Sequence, residues 1–332
     1  MAKRPMAYFY EIYGLTLQSD IPLNAPVELP IASVTSGRQH ADISIVLTDV
    51  ASEPPPALNK AAAFAAINNK QFWLDVPQVA RFFAVDSETI HVQPYEQADN
   101  ASVELYLLGS VLGPVVNLRK QLVMHGNVVQ LVINDQLVRL LICGHSAVGK
   151  STFSAYLMKH HNAQLVADDL AIFNAQGQVL VGSPRLKIWQ DVAQVLNIHE
   201  SELTPIRPQL KKFDWHLPAT ESIELAPIDL VIILTGDNQD DENDIDEFIG
   251  AQKLLPLQHQ IFRKQFTQKA DLEAVQFMLI AKHLGNTPVI KLGRPRTNKI
   301  VANLQSMSDR LFAYMHENLK KQKASKAESV HD

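Results

Sequence analysis

The chain has 332 residues, 46% hydrophobic and 20% charged, a composition that buries a sizeable core and excludes intrinsic disorder or a fibrous repeat over most of its length. Its 30 Lys and Arg against 35 Asp and Glu leave a net charge of −5, which argues against a whole-surface grip on nucleic acid. A single cysteine, Cys143, excludes an intramolecular disulfide and a cysteine-built zinc site.

In chain order, the basic start Met1-Ala-Lys-Arg-Pro is not followed by an apolar stretch of roughly 7–15 residues, so no secretory leader is expected. Residues 8–13 and 43–47 are β-branched or aromatic between Pro/Ser/Asn clusters, and a proline break at 54–56 precedes a meander through 72–74, 82–85 and 90–92. Residues 1–97 therefore read as a small β-rich module without a chemical motif. Over 101–119, Val103, Leu107, Val111, Val115 and Leu118 recur at helical spacing, with Gly113-Pro114 as a kink. At 103–118 this segment falls short of the ~18 apolar residues of a membrane span and carries Glu104, two glycines and a proline. A cytoplasmic protein without membrane attachment is expected.

Short apolar runs follow at 121–124, 128–133 and 137–143, with Asn134-Asp135 as a hairpin turn. A helix is expected over 151–160 and a strand over 164–167, ending at Asp168-Asp169. Residues 228–235 form the most apolar strand candidate. Seven acids lie between Asp237 and Glu247; without a turn glycine or fixed ligand spacing they read as a solvated loop rather than a metal site. A last amphipathic helix places Ile300, Leu304, Met307, Leu311, Met315 and Leu319 on one packing face, and residues 321–332 read as a frayed charged tail.

The strongest chemical signal is Gly144-His145-Ser146-Ala147-Val148-Gly149-Lys150-Ser151, followed by Thr152. Glycines let successive backbone N–H groups turn inward around an anion, and the helix that follows presents its positive N-terminus to the same anion. Lys150 would reach the β- and γ-phosphates, and the Ser151 hydroxyl would ligate Mg²⁺. An apolar strand runs into the loop and a helix-compatible segment runs out of it, so nucleotide binding is expected across 144–152. His145 could approach a phosphate or simply be exposed, and Cys143 reads as a small buried hydrophobe.

Such a loop needs a carboxylate at a strand end. Asp168-Asp169, one helix after Lys150, is favoured over Asp237. Two adjacent carboxylates can divide the work, one on Mg²⁺ and one taking a proton from an attacking hydroxyl. No Asn-Lys-x-Asp element is present, so a GTPase is not expected.

With these elements placed, the sequence resembles the HPr kinase/phosphorylase-like serine kinases. The resemblance is carried by Met124-His125-Gly126-Asn127-Val128-Val129, the P-loop, and Leu165-Val166-Ala167-Asp168-Asp169, in family order. Weaker similarity extends through Ser183-Pro184-Arg185-Leu186-Lys187-Ile188-Trp189 and Arg207-Pro208. The family's Arg-Gly-hydrophobic-Gly run is missing, and Ala147 and Thr152 depart from its loop, which places the chain in the HPr-kinase-related branch and not among HPr kinases proper. The resemblance implies a mixed α/β fold: a P-loop kinase domain of the phosphoenolpyruvate carboxykinase-like type, here over 98–320. It also implies that Asp168 is the catalytic base, that Asp169 and Ser151 are metal-site groups, and that His125 accompanies the aspartates.

The expected activity is transfer of the γ-phosphoryl group of ATP, with Mg²⁺, to a hydroxyl on a protein, peptide or small molecule, a serine being the favoured acceptor. Arg185, Lys187, Arg207 and Lys211 are candidate cations for the transition state. An ATP-binding regulatory or scaffold protein and a P-loop ATPase are the alternatives, and a homo-oligomer is left open.

Overall fold

The structure, a computed structural model, describes residues 7–24, 27–29, 40–207, 210–218, 223–236, 245–295 and 299–328, with side chains as far as 318. It is a mixed α/β protein with three sheets. The strands before residue 97 form a nine-stranded sheet that begins with the antiparallel pair Tyr8–Ile12 and Leu15–Ser19. Two parallel pairings, to Ile43–Leu47 and then Thr89–Pro94, lead into the expected meander, which runs back through Ala80–Ala84 and Phe72–Val76. Burial alternates along Ile43–Leu47, Ala80–Ala84 and Thr89–Pro94, so this sheet presents one face to the core and one outward.

The second sheet has seven strands. Its long strand Leu122–Ile133 pairs antiparallel with Gln136–Cys143 through a turn where Asn134 and Asp135 both take positive φ, 51° and 61°, the geometry that two-residue hairpins favour. Gln136–Cys143 then runs parallel to Leu230–Gly236, which runs parallel to Val289–Arg294. Instead of the two separate runs expected at 121–124 and 128–133, one strand continues through His125-Gly126-Asn127. Gly126 makes this possible: a Cβ there would lie 2.7 Å from the Ile142 carbonyl oxygen. The upstream half of the strand pairs with Leu170–Phe173 and the downstream half with Gln164–Ala167, so the two residues joining those partners, Asp168 and Asp169, lie at a bend beside it.

Every residue from Val138 to Cys143 is buried, and the period of two sends them alternately to two cores. Leu140, Ile142, Ile232 and Leu234 pack with Phe153 and Leu157 of helix Lys150–His161 and with Leu304, Met307 and Leu311 of the last helix, Ile300–Glu328. Leu141, Cys143, Val231 and Ile233 face the opposite way, into a cluster with helix Asn100–Leu118 and with Leu17, Ile43, Phe82 and Ile90 of the N-terminal sheet. The N-terminal strands thus share one continuous core with the sheet that leads into residues 144–152.

Helix Asn100–Leu118 is, by length and composition, the one described helix apolar enough to cross a membrane, yet 72% of its window is buried inside the protein. Asp99 caps its start, accepting from the Ser102 N–H at 2.7 Å, as N-cap aspartates do. Its irregularity lies just upstream of Gly113-Pro114, as a π-helical turn over Leu107–Val111. Pro114 has no N–H to give to the previous turn and its ring crowds the carbonyl four residues back, so that turn widens. The stretch between 170 and 295 also holds elements that the sequence pattern did not announce. These include the three-stranded sheet of Arg185–Trp189, Lys212–His216 and Leu203–Pro205, and helices Leu254–His259, Lys264–Lys269 and Glu273–Leu284.

Candidate functional site

The parallel strands Gln136–Cys143, Leu230–Gly236 and Val289–Arg294 point their carboxyl ends to one edge, with Cys143 opposite Ile233, three residues before the Gly236/Arg294 pair, and the carboxyl ends of parallel strands are where open α/β sheets take ligands. From Cys143 the chain turns through Gly144 at φ 138°, Ala147 at φ 65° and Gly149 at φ 109° into helix Lys150–His161. Gly144 has no room for a side chain, since a Cβ would lie 2.7 Å from the Leu234 carbonyl oxygen. The first four N–H groups of a helix lack partners within it, so the loop and the helix start together direct donors outward. The sequence-identified residues 144–152 therefore form one continuous turn at the strand end. His145 is exposed, with Nδ1 2.8 Å from the Ser146 carbonyl oxygen.

Lys150 lies over its own loop. Its Nζ donates to the Gly144 carbonyl oxygen at 2.9 Å and the His145 carbonyl oxygen at 3.3 Å, and sits 3.0 Å from His125 Nε2. An ammonium donates, so Nε2 accepts and the imidazole proton belongs on Nδ1. Burial and then the Lys150 charge push the His125 pKa below its ordinary value, keeping the ring neutral. Burial likewise lowers that of Lys150. His125 is thereby a fixed acceptor that aims the lysine.

Of the aspartate pair, Asp169 faces the same space and Asp168 lies buried behind it. Lys187, on strand Arg185–Trp189, donates through Nζ to Asp169 Oδ2 at 3.2 Å and lies 3.8 Å from Asp168 Oδ2, which also accepts from the Lys187 backbone N–H at 3.2 Å. The two carboxyls are driven apart. Burial, then the neighbouring Asp169 charge, pushes Asp168 up to about 7. For Asp169, burial alone would raise the pKa, but the Lys187 charge first and then that of Lys212 outweigh it and hold the group well below the usual carboxylate range. Burial disfavours the Lys187 ammonium, yet the two carboxylates raise its pKa above the ordinary value. Such separation of two adjacent carboxyls equips one to stay ionised and the other to exchange a proton. Asp168 is only 9% exposed, and its Oδ1 has no hydrogen-bond partner among the described residues.

Asn127 ties the three parts together. It is fully buried on the long strand; its Nδ2 donates to Ser151 Oγ at 3.4 Å and Ser154 Oγ at 3.3 Å, and its Oδ1 accepts from the Asp169 N–H at 3.3 Å. The loop, its helix and the aspartate bend enclose a cavity of about 290 Å³, lined among others by Lys150, Ser151, Asp169, Lys187, Trp189 and Arg294. No cluster of three or more His, Cys, Asp or Glu suited to a metal occurs among the described residues. The oxygen donors on the cavity wall include the Ser146, Ser151 and Thr152 hydroxyls and the carboxylates of Asp169 and Asp191; of these, Ser151 at the helix start and the strongly acidic Asp169 are the pair that Asn127 ties together. That set fits Mg²⁺, which binds through one or two protein oxygens together with substrate phosphates rather than in a protein cage.

Of the four downstream cations, only Lys187 reaches the aspartates. Arg185 is engaged by Asp214 at 2.9 Å and Glu104 at 3.3 Å, Arg207 donates to Ser102 Oγ at 3.2 Å and lies over the Tyr106 ring, and Lys211 is exposed. Asp237 lies outside the described residues. Sequence reasoning missed Asn127, Lys212 and Arg294. Arg294 had a usable signal, as the last residue of a strand parallel to the P-loop strand; its Nη1 would be 3.4 Å from a Cβ on Gly149. Lys212 had none, because it meets Trp189 only through strand pairing across a long insertion. Neither a family model nor a curated protein matches the chain.

Proposed function

We propose that the protein is an ATP-dependent kinase of the HPr-kinase-like type, built as a P-loop kinase domain behind a β-rich N-terminal sheet, that transfers the γ-phosphoryl group to a serine-like hydroxyl. The observation that carries the proposal is Asp168: buried, held through one oxygen by the Lys187 N–H, with its other oxygen unpartnered, and adjacent in the chain to Asp169, which lines the cavity beside the loop. A binder or scaffold has no need of a second carboxyl whose pKa is raised toward neutrality.

In this mechanism the loop amides and the start of helix Lys150–His161 bind the phosphates. Lys150, aimed by His125, and Arg294 supply positive charge where the transferred group gathers negative charge. Ser151 and Asp169 would hold Mg²⁺, which when bound supplies charge neutralisation and alignment of the phosphate oxygens. Lys187 keeps Asp169 ionised and the pair in place. Asp168 accepts the acceptor proton through Oδ1 as the hydroxyl oxygen bonds to the γ-phosphorus, and the bond to the β-phosphate oxygen breaks to leave ADP. Little else is asked of the protein, since positioning supplies most of the rate.

The test is Asp168→Asn. Transfer from γ-labelled ATP to serine peptides or small hydroxyl compounds should fall by about 10²–10⁴-fold, the usual worth of a general base. Nucleotide affinity by titration calorimetry should stay within a few-fold. Equal transfer by both proteins would remove Asp168 from the chemistry. Wild-type binding of Mg·ATP with no transfer to any hydroxyl would favour a regulatory binder.

A further inference from the structure

The cavity of about 290 Å³ beside residues 144–152 has one stretch of wall that phosphate chemistry does not use. Phosphates and Mg²⁺ account for Lys150, Ser151, Asp169 and Arg294 on its lining, but not for Trp189, Val192 and Ile300. Trp189 stands out among the three tryptophans. It is 47% exposed, whereas Trp73 and Trp215 are each 5% exposed. Ligand sites combine an apolar or aromatic lining with a few placed polar groups, and a half-exposed indole on a cavity wall offers a broad, rigid contact face.

Strand geometry places the ring. Lys187 and Trp189 are two residues apart on strand Arg185–Trp189, so they share one face and stand about 7 Å apart. Lys187 marks the aspartate end of the cavity, holding Asp169 at 3.2 Å. The ring itself is held from one side. Trp189 pairs with Lys212 across the strands, and Lys212 Nζ lies 5.7 Å from the ring centroid, a cation–π contact. The Gln190 N–H donates to the Lys211 carbonyl oxygen at 3.0 Å, which closes the strand end where helix Gln190–Val195 starts. A lysine on one face leaves the other face of the indole to a second planar group. Beside the ring stands Asp191, whose Oδ1 accepts from the Val192 N–H at 2.9 Å. Among the described residues no side-chain amide lines the cavity.

We propose that the open face of Trp189 is the platform on which the nucleotide's base stacks, and that the base is held by its face rather than read at its edge, so that ATP and GTP bind alike. The proposal rests on the nucleotide reading of residues 144–152 and adds which residue holds the base and how loosely the base is specified. Stacking on an aromatic side chain tolerates any base, because every base has a π-face. The free oxygen of Asp191 accepts from an amino group, and adenine and guanine each carry one. Telling the two purines apart takes a donor and an acceptor fixed side by side, as a side-chain amide supplies, and the described lining has none. The platform adds to the phosphate cradle without completing it, so the loop should bind a bare polyphosphate, only more weakly.

Binding measurements on wild type, Trp189→Phe and Trp189→Ala test this without any turnover. Mg²⁺ complexes of ATP, GTP and inorganic tripolyphosphate are titrated by calorimetry. Wild type should bind ATP and GTP within a few-fold of each other and tripolyphosphate about 5–150-fold more weakly, the range for one stacked base. Trp189→Ala should bring ATP down to the tripolyphosphate level and leave the tripolyphosphate Kd unchanged, while Trp189→Phe keeps most of the ATP affinity. Indole fluorescence gives a second readout: ATP should quench wild type, and the quench should vanish in Trp189→Phe, because Trp73 and Trp215 are buried. ATP affinity unmoved by Trp189→Ala, an equal loss for tripolyphosphate, or GTP bound more than about tenfold more weakly than ATP, the worth of one edge contact, would overturn the platform and leave the phosphate cradle standing. Wild type that binds neither ATP nor tripolyphosphate would overturn both.

Discussion

The two large sheets solve the burial problem differently. In the N-terminal sheet, Ile43–Leu47 and Thr89–Pro94 alternate between covered and outward residues, so each strand commits half its side chains to the core. In the second sheet, Leu140 to Cys143 and Leu230 to Ile232 are all buried at 0–1% exposure, divided between two cores. A strand covered on both faces has no exposed surface along its length, so the cavity beside it opens at its end, at the turn of residues 144–149. The one-faced sheet reaches the aspartates at the turn after Tyr8–Ile12, where Ile12 and Tyr13 line a cavity of about 40 Å³ with Asp168 and Asp169.

Matched truncations in the two sheets probe that contrast most strongly. Leu141→Ala, in the doubly covered strand, should cost about 2–5 kcal/mol, the range for emptying a packed leucine site. Val46→Ala, at a half-covered position of Ile43–Leu47, should cost no more than about 1 kcal/mol. Urea unfolding with an unchanged m-value reads both; equal costs would mean that the two sheets are not covered differently. Because Leu141 and the N-terminal Ile43 and Phe82 belong to one cluster, a single transition is expected in each variant.

A smaller effect separates packing from positioning. Asn127→Ala removes the buried bridge between Ser151 and the Asp169 N–H and should cost about 1–3 kcal/mol for the groups left unpaired. Mg²⁺-dependent nucleotide affinity should weaken in the folded protein more than Mg²⁺-free affinity. A loss of stability with no change in that difference would make Asn127 merely structural. The smallest effect is a silence. Burial pushes the Cys143 thiol up to about 12, so at pH 8 the thiolate is scarce and enclosed, and a disulfide reagent should label the native protein negligibly but the urea-unfolded chain fully. Prompt native labelling would show that the end of the central strand opens.

Much of the site was legible because its chemistry is local in sequence. The loop 144–152 is a run of neighbours, and Asp168-Asp169 closes the next strand, so spacing alone placed them. The strands at 43–47 and 164–167 were readable for the same reason: a short apolar run between turn residues needs no distant partner to declare itself. His125 was placed near the aspartates only by resemblance; its distance from Lys150, 3.0 Å, depends on the antiparallel pairing of Leu122–Ile133 with Gln136–Cys143. Lys212 and Trp189 share one cavity wall only through strand pairing, and Arg185 was a plausible catalytic cation until Glu104 and Asp214, from distant parts of the chain, closed on it.

What the sequence determined by itself was an α/β chain with a phosphate-shaped loop and a nearby carboxylate pair, because glycine freedom, hydrophobic period and adjacent charge act over a few residues. Only the tertiary structure decided which aspartate is buried, which cation it meets, and that Asp169 rather than Asp168 lines the cavity beside the loop. Those outcomes depend on desolvation and on charges brought together from residues 168, 169, 187 and 212, and neither is defined until the strands that carry them pair.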